Sequence, residues 1–154
     1  IAVDLLDNKL ELARQFGATH TINGKTQDVV AEVRKLTGGF GADYSFEVIG
    51  LPVTIAQAYE VIRRGGTAVV VGVATEDAEV KFNAAGLMRT AKILMGTQAG
   101  NIQPQVDFPK IVDLYVAGKL KLDELISRRF ALDEVNEAFR ALHAGEVARG
   151  VIVY

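Results

Sequence analysis

Apolar and polar residues alternate along residues 43–49, which predicts a strand ending at Gly50. One side of this strand carries Tyr44, Phe46 and Val48, and the other carries Ser45, Glu47 and Ile49. From Pro52 onward the apolar residues recur at i, i+3, i+4 and i+7, which predicts a helix that the pair Gly65-Gly66 is expected to end. Residues 67–71 are an unbroken, mostly β-branched run, typical of a strand covered on both faces. A parallel crossover of this kind brings both strand ends to the same edge of the sheet, where ligands bind in open α/β sheets.

The same alternation of short apolar runs and helical periods continues along the whole chain. Further strands are predicted at residues 1–4, 20–23, 93–95, 125–130 and 150–154. Helices are expected between them, with Asp7, Thr26 and Asp133 as N-caps of three helices and a start near Asp107 for another. Strands that alternate with helices of this length indicate βαβ units, so the predicted fold is α/β with a mostly parallel sheet.

Length and composition narrow the functional classes. The 154 residues suffice for one domain, with 49% hydrophobic and 23% charged residues and a net charge of −2. This balance lacks the clustered basic surface of a nucleic-acid-binding protein. The given residues contain no apolar run of membrane-spanning length, no basic start with an apolar signal core and no cysteine, so we expect a cytoplasmic location without membrane contact. It begins inside a strand without an initiator methionine, which suggests a part of a longer polypeptide.

Asp4 stands at the end of the first predicted strand. In a dinucleotide-binding sheet, an acid at this place accepts hydrogen bonds from the adenosine ribose and repels a 2′-phosphate. The chain lacks a G-x-G-x-x-G turn between a strand and a helix, and its glycine-rich stretch 38–41 follows a helix instead. From the residues alone, Asp4 is therefore either a ribose ligand or an ordinary strand-end acid.

Four other polar residues favour structural roles. His20 begins a strand and His143 lies in the last turn of a helix, and neither has a partner at metal-ligand spacing. Glu47 is interpreted as a buried carboxylate with a hydrogen-bond partner rather than a general base, and Arg149 as a surface charge rather than an anion ligand. No residue is predicted to be catalytic or to bind a metal.

Five segments resemble, in order and spacing, the zinc-type alcohol dehydrogenases of the medium-chain dehydrogenase/reductase superfamily. They are residues 1–4, 16–19, 43–50, 69–73 and 145–149. The resemblance implies a Rossmann-like, doubly wound domain over residues 1–154, within which 123–154 return toward a catalytic lobe. This domain would be incomplete, because the family's first strand and glycine-rich turn are absent.

The resemblance also assigns residues to the coenzyme NAD. The implied contacts are Asp4 and Lys9 at the adenosine ribose, Val48 and Ile49 at the adenine and ribose end, Val71, Gly72, Val73, Thr97 and Gln98 at the nicotinamide, and Arg149 at the pyrophosphate. The resemblance thus implies that Arg149 is an anion ligand, whereas the residues alone favour a surface charge.

The implied activity is hydride transfer between an alcohol or aldehyde and NAD. The family's zinc ligands have no counterpart in this chain, which is therefore expected to be inactive by itself. The resemblance further implies a homo-oligomer, a dimer or tetramer, paired through residues 80–83 and 92–96. Two alternatives remain: a zinc-free quinone or enoyl reductase using NADPH, against which Asp4 argues, and a non-catalytic module for nucleotide binding or oligomerisation.

The absent strand would be the centre of a doubly wound sheet, between residues 1–4 and 43–49. Three arrangements are therefore open. A chain outside these residues fills the place, the terminal strand 151–154 fills it, or the two flanking strands pair directly with each other.

Overall fold

The computed structural model describes all 154 residues, which group into two compact units. Unit 1 comprises Ile1–Leu5 and Thr19–Ile102, and unit 2 comprises Leu6–Ala18 and Gln103–Tyr154. Unit 1 contains β1 (Ala2–Asp4), β2 (Thr21–Asn23), α2 (Val29–Leu36), β3 (Ala42–Glu47), α3 (Pro52–Val61), β4 (Ile62–Val70), α4 (Ala84–Thr90) and β5 (Ile93–Gly96). Unit 2 contains α1 (Asp7–Gln15), α5 (Pro104–Val116), β6 (Ile126–Ala131), α6 (Val135–His143) and β7 (Arg149–Val153).

Every strand pairing is parallel, as the alternation of strands and helices predicts. In unit 1, β1 pairs with β2, and β3, β4 and β5 form a second sheet in that order. In unit 2, β6 pairs with β7. The α/β class with parallel sheets is thus confirmed, and none of the helices is long and apolar enough to cross a membrane.

The core of unit 1 lies where its helices cover the strands. Ile22 of β2 packs with Val29 and Val33 of α2 and with Val61 of α3. A second cluster joins residues of α3 and β4, namely Tyr59, Ile62 and Ala68. The alternation predicted for residues 44–47 is also present, because Glu47 is buried and Ser45 half-buried while Tyr44 and Phe46 are exposed.

Unit 2 has a small core of its own. Phe130, Ala141 and Val147 are buried together, and Ala138 and Ile152 pack against them. Helix α1 is bound to this unit through the Lys9 ammonium, which donates to the carbonyl oxygen of Val147. Lys121 Nζ also donates to the carbonyl oxygen of Gln15, the last residue of α1, at 2.8 Å.

The predicted helix starts were wrong in several places. Asp28, not Thr26, caps α2, since its Oδ1 accepts from the Ala31 amide at 3.0 Å. Leu6 is the N-cap of α1, so Asp7 already lies in the first turn. Helix α5 begins at Pro104 rather than near Asp107, and a 3₁₀ turn containing Asp133 precedes α6. Several acids and hydroxyls compete for each helix start, and the tertiary path of the chain decides between them.

Gly65 and Gly66 do not end α3 as predicted. The helix ends at Val61, and both glycines lie within β4. Ala42 pairs with Ile62 and Tyr44 with Thr67, so residues 63–66 form a bulge opposite a single residue of β3. Gly65 has a φ of +67° there, a conformation that favours glycine.

The two strands that flank the absent sheet centre remain apart. β1 pairs only with β2, and β3 only with β4, so of the three open arrangements the direct pairing of β1 with β3 is not observed. The terminal strand does not fill the place either, because β7 pairs with β6.

Candidate functional site

The carboxyl ends of β3, β4 and β5 meet at one edge of the sheet of unit 1. Glu47 pairs with Val70, and Val70 pairs with Gly96, so the three strands end level with one another. The residues that follow them, 48–50, 71–73 and 97–98, form what we call the rim. This set contains seven of the residues expected at the coenzyme: Val48, Ile49, Val71, Gly72, Val73, Thr97 and Gln98.

Backbone hydrogen bonds continue past the strand ends into the rim. The amides of Val71 and Gly72 both donate to the carbonyl oxygen of Glu47, at 2.7 and 3.0 Å. The Thr97 amide donates to the carbonyl oxygen of Val70 at 3.0 Å. These bonds hold the backbone of each segment against its neighbour, so the rim has a defined shape.

Gly72 marks the closest approach within the rim. A Cβ atom at this position would lie 2.1 Å from the Gly50 nitrogen and 2.5 Å from Ile49 backbone atoms. Gly50 has a φ of +90°, and a Cβ there would lie 2.3 Å from the carbonyl oxygen of Val73. Only glycine fits at either position, because the two backbones occupy the space that a side chain would need.

The buried Glu47 side chain holds the turn after β3, which carries residues 48–50 of the rim. Its side chain is only 4% exposed, and its Oε1 accepts from the amides of Ile49 and Gly50 at 2.9 and 2.8 Å. The Thr54 hydroxyl donates to the same oxygen at 2.7 Å. A carboxylate with three donors on one oxygen fixes the turn after β3. This confirms the interpretation of Glu47 as a buried carboxylate with hydrogen-bond partners.

Four side chains of the rim are apolar and exposed. Val48, Ile49, Val71 and Val73 all face solvent, and Val73 is 92% exposed. Neighbouring exposed apolar residues on a rigid backbone are typical of a ligand-binding surface. Backbone groups and apolar side chains together suit a planar heterocycle, which needs stacking surface and a few hydrogen bonds.

The other predicted coenzyme residues lie elsewhere in the chain. Asp4 ends β1 in unit 1, where it is half-buried and its carbonyl oxygen accepts from the Gly24 amide at 3.0 Å. Lys9 and Arg149 belong to unit 2. The Lys9 ammonium is bonded to a backbone carbonyl, and Arg149 is an exposed residue at the start of β7. Roles for these three residues at a coenzyme stay predictions.

The residues of the chain do not fit a zinc site. No three His, Cys, Asp or Glu side chains come together in a way that could hold a metal ion, and the chain has no cysteine. His20 has its Nδ1 at 3.0 Å from the hydroxyl of its neighbour Thr19.

Sequence reasoning missed two features of the rim. It identified Gly72 as a strand end but not as a position where no side chain fits, and it did not connect Thr54 with Glu47. A local signal existed for the second feature. An acid three residues before a glycine and seven before a threonine in the first helical turn can accept from both, once the intervening chain turns.

Comparison with known proteins agrees with this geometry. The family profile described as zinc-binding dehydrogenase matches residues 1–117. The S-(hydroxymethyl)glutathione dehydrogenase of Paracoccus denitrificans is 38% identical over 161 residues, with 100% of this chain and 43% of that protein covered. The NDMA-dependent alcohol dehydrogenase of Amycolatopsis methanolica is also 38% identical, and the match covers 100% of this chain and 42% of the relative.

Among solved structures, the benzyl alcohol dehydrogenase of Acinetobacter calcoaceticus superposes with a TM-score of 0.93 at 34% identity, covering 98% of this chain and 41% of that one. The 154 residues therefore span less than half the length of each of these relatives. With a profile match over most of its length and a parallel α/β architecture shared with solved alcohol dehydrogenases, the chain belongs to the zinc-binding dehydrogenase family.

Proposed function

We propose that this chain is the coenzyme-binding part of a zinc-dependent alcohol dehydrogenase, and that NAD lies across the rim of unit 1. The observation that carries the proposal is the close approach of the two strand ends at Gly72, where a side chain would collide with the Gly50 nitrogen. A backbone held this closely presents its amide and carbonyl groups in fixed directions. Pre-organised groups of this kind bind a ligand without a further ordering cost.

The residues of the rim fit the two ends of a dinucleotide. Val71 and Val73 would pack along the nicotinamide, and the backbone around Gly72 would bind its carboxamide. Thr97 and Gln98 would complete that end. Val48 and Ile49 would contact the adenine and its ribose, and Asp4 would accept from the ribose hydroxyls. The roles that the resemblance implies for Lys9 and Arg149 stay predictions.

The coenzyme, when bound, supplies the hydride acceptor or donor. The contribution of this chain is to bind and orient it. Glu47 acts indirectly, because its three hydrogen bonds hold the turn on which Val48 and Ile49 are carried. Zinc does not fit the residues present, so no catalytic step is assigned to a metal held by this chain. An alcohol or aldehyde as the substrate of the complete enzyme, and the cytoplasm as its location, are part of the same proposal.

Titrations of the ¹⁵N-labelled 154-residue chain with NAD and with NADPH, followed in ¹H–¹⁵N NMR spectra, test the proposal, because amide shifts detect weak binding. We expect NAD to bind and to shift the amide signals of residues 48–50 and 71–73. Tighter binding of NADPH would favour a zinc-free reductase instead. If neither nucleotide binds, an assembly module becomes the better account.

The ribose contact is tested by Asp4→Ser. Removing the carboxylate removes both the acceptor for the ribose hydroxyls and the repulsion of a 2′-phosphate, so the preference for NAD over NADPH should fall about tenfold. Asp77→Ser is a matched control, since Asp77 is an exposed acid in the loop after the rim. An unchanged preference in Asp4→Ser would refute the role of Asp4.

The free edge of β5 supports the expected homo-oligomer. β5 pairs only with β4, and Ile93, Leu94 and Met95 are all exposed along it. We propose that a second copy of the chain covers this strand together with residues 80–83. Sedimentation velocity should give a dimer or tetramer, and Leu94→Lys should yield monomers, because a lysine on an exposed strand edge opposes pairing. A wild-type monomer at high concentration would contradict this.

A further inference from the structure

Helices α3 and α4 and the residues just before β5 surround a small pocket in unit 1. Tyr59 and Phe82 supply aromatic walls, and the charged side chains of Glu60, Lys81 and Lys92 also line it. Its volume is about 180 Å³, below the roughly 300 to 1,000 Å³ of pockets for drug-sized ligands. An occupant of this pocket must therefore be small.

The pocket lies toward the amino ends of β4 and β5. Lys92 directly precedes β5, and Glu60 lies in the last turn of α3, just before β4 begins. These strands are parallel, and the rim follows their carboxyl ends, so the pocket and the rim lie toward opposite ends of the same strands. The pocket is therefore separate from the proposed coenzyme site, and all of its residues belong to unit 1.

Lys92 places a half-buried ammonium group at this pocket. Its Nζ donates to the carbonyl oxygens of Tyr59 and Glu60, at 3.0 and 3.1 Å, and lies 5.1 Å from the centre of the Tyr59 ring. An ammonium group has three N–H donors, so two bonds to the end of α3 leave one donor for a ligand. Burial lowers the pKa of Lys92, with Arg34 acting in the same direction and Glu60 in the opposite one. A further negative charge nearby would stabilise the ammonium group.

Tyr59 contributes a buried polar atom without a partner. The residue is only 7% exposed, and its hydroxyl oxygen is buried with no hydrogen-bond partner among the atoms of the chain. The ring itself is well packed, since it meets Phe82 edge-to-face with 4.9 Å between the ring centres. Buried tyrosine hydroxyls usually have a hydrogen-bond partner. A ligand atom that accepts a hydrogen bond would supply the missing one.

We propose that this pocket binds a small carboxylic acid in its ionised form, whose apolar body packs against Tyr59 and Phe82 and whose carboxylate accepts from the Tyr59 hydroxyl and from the free N–H of Lys92. The hydroxyl is attached to the ring and the ammonium lies 5.1 Å from the ring centre, so the two oxygens of one carboxylate can reach both donors. Two positive side chains against one negative side chain favour an anion. The aromatic walls favour an acid with an apolar body over a fully hydrated anion such as phosphate.

Benzoate is the probe, because it joins one carboxylate to one small ring. We expect it to bind the ¹⁵N-labelled 154-residue chain with a Kd of about 1 mM, the affinity of a ligand with so few atoms. It should shift the amide signals of Phe82, Gly86 and Lys92 in ¹H–¹⁵N spectra. Benzamide has nearly the same shape without the charge and should bind about tenfold more weakly. Phosphate should bind more weakly than benzoate, and an equal affinity would contradict a role for the aromatic walls.

Tyr59→Phe tests the hydroxyl without changing the shape of the pocket. The hydroxyl has no partner in the chain, so its removal breaks no hydrogen bond of the fold. Benzoate binding should weaken about tenfold, because a hydrogen bond to a charged group is lost. Tyr44→Phe is the matched control, since Tyr44 is 67% exposed and lies in β3, away from this pocket. Equal affinities of the two variants would exclude the hydroxyl as a contact.

Two substitutions of exposed charges should change the affinity in opposite directions. Lys81→Gln removes a positive charge from the pocket lining and should weaken benzoate binding about threefold, whereas Glu60→Gln removes a negative charge and should strengthen it about threefold. Lys119→Gln removes an exposed lysine of unit 2 and should change nothing. Changes of the same sign for Lys81→Gln and Glu60→Gln would contradict binding of an anion.

The pKa of Lys92 provides a readout that leaves the protein unaltered. Bound benzoate should raise this pKa, because a negative charge nearby favours the protonated amine, and benzamide should leave it where it is. NMR titration of the Lys92 side chain in the presence of each compound measures the difference. An unchanged pKa at saturating benzoate would exclude the ammonium group as a contact.

Lys81 and Phe82 also lie in the segment that we propose meets a second copy of the chain. The benzoate titration is therefore repeated on Leu94→Lys, the variant expected to be monomeric, so that coverage by a second copy is not mistaken for a missing site. Absence of binding in both forms would overturn the proposal. Shifts confined to residues 48–50 and 71–73 would also overturn it, because they would place the acid at the rim. Neither result bears on NAD, whose binding is measured separately.

Discussion

The rim of unit 1 and the charged surface of unit 2 are organised by different forces. In the rim, backbone approaches backbone, and one buried carboxylate holds the turn. On the surface of unit 2, Arg140 makes paired contacts at 2.6 to 2.8 Å with Glu137 and Glu146, and Arg128 adds a contact to Glu137 at 3.3 Å. These four side chains are all well exposed.

The two regions should differ in how well they tolerate amino-acid substitutions. Close packing has no room for an added atom, and a buried polar group has no water to replace a lost partner. Exposed ion pairs have water as an alternative partner and are screened by salt. We therefore expect single substitutions in the rim to cost far more than substitutions in the charged surface, although the latter has more hydrogen bonds.

The largest effect is expected for Gly72→Ala. The added Cβ would overlap three backbone atoms of Ile49 and Gly50, which cannot rotate away, so we expect a loss of about 4 kcal/mol in the free energy of unfolding. Gly96→Ala is the matched control, because Gly96 also ends a strand of the same sheet but has nothing within 4 Å of its Cβ position. Urea denaturation measures both. Similar stability of the two variants would contradict the packing described for the rim.

The second largest effect is expected for Phe130→Ala in unit 2. This unit has a buried core as well as a charged surface, so not every substitution in it should be well tolerated. Phe130 is 2% exposed and packs with Ala141 and Val147. Its truncation leaves a cavity and should cost about 3 kcal/mol. Phe139, which is 59% exposed, provides a control of the same residue type in the same unit. If Phe139→Ala were equally costly, burial would not be the cause.

Glu47→Ala tests the carboxylate of the rim. The change leaves the amides of Ile49 and Gly50 without their acceptor and should cost about 2 kcal/mol. Glu47→Gln should cost less, since its amide oxygen can accept the same bonds. Equal losses for the two variants would mean that the charge, rather than the hydrogen bonds, stabilises the turn.

The smallest effect is expected for Arg140→Ala, and it should depend on pH. Hydrogen bonds from Arg140 lower the pKa of Glu137 from 4.5 to about 2. A lowered pKa in the folded state means that the stabilisation is present above pH 4.5 and is lost as the pH falls toward 2. Solvent screening reduces its size. The difference in the free energy of unfolding between wild type and Arg140→Ala should therefore become smaller as the pH falls from 4.5 toward 2. It should also become smaller in high salt.

An NMR titration of the Glu137 carboxyl checks the cause directly. In Arg140→Ala its pKa should rise most of the way back to the ordinary value of 4.5. Lys110→Ala, which removes an exposed ion pair to Asp107, is the control and should leave Glu137 unchanged. A low pKa that persists without Arg140 would assign the shift to Arg128.

Sequence patterns predicted the elements of the chain better than their ends. The alternation at residues 44–47 and the helical period after Pro52 are local, so they were sufficient to place β3 and α3. The bulge at Gly65-Gly66 depends on the pairing of β4 with β3, which local periodicity does not contain. The choice of Asp28 over Thr26 as an N-cap likewise depends on where the chain enters the helix.

The same division holds for the candidate site. Parallel crossovers bring strand ends to one edge, so the sequence was enough to predict that residues 48–50 and 71–73 are neighbours. The distances between their backbones, and the three donors on one oxygen of Glu47, depend on how the strands pack.

The sequence by itself determined the α/β class, the parallel strands and the apolar strand ends, because these follow from the period of the side chains and from chain connectivity. Only the tertiary structure decided that Gly72 admits no side chain, that Glu47 keeps one oxygen unpaired, and that β1 and β3 stay apart. These features arise between segments far apart in sequence, where packing and hydrogen bonding, rather than local propensity, set the positions of the atoms.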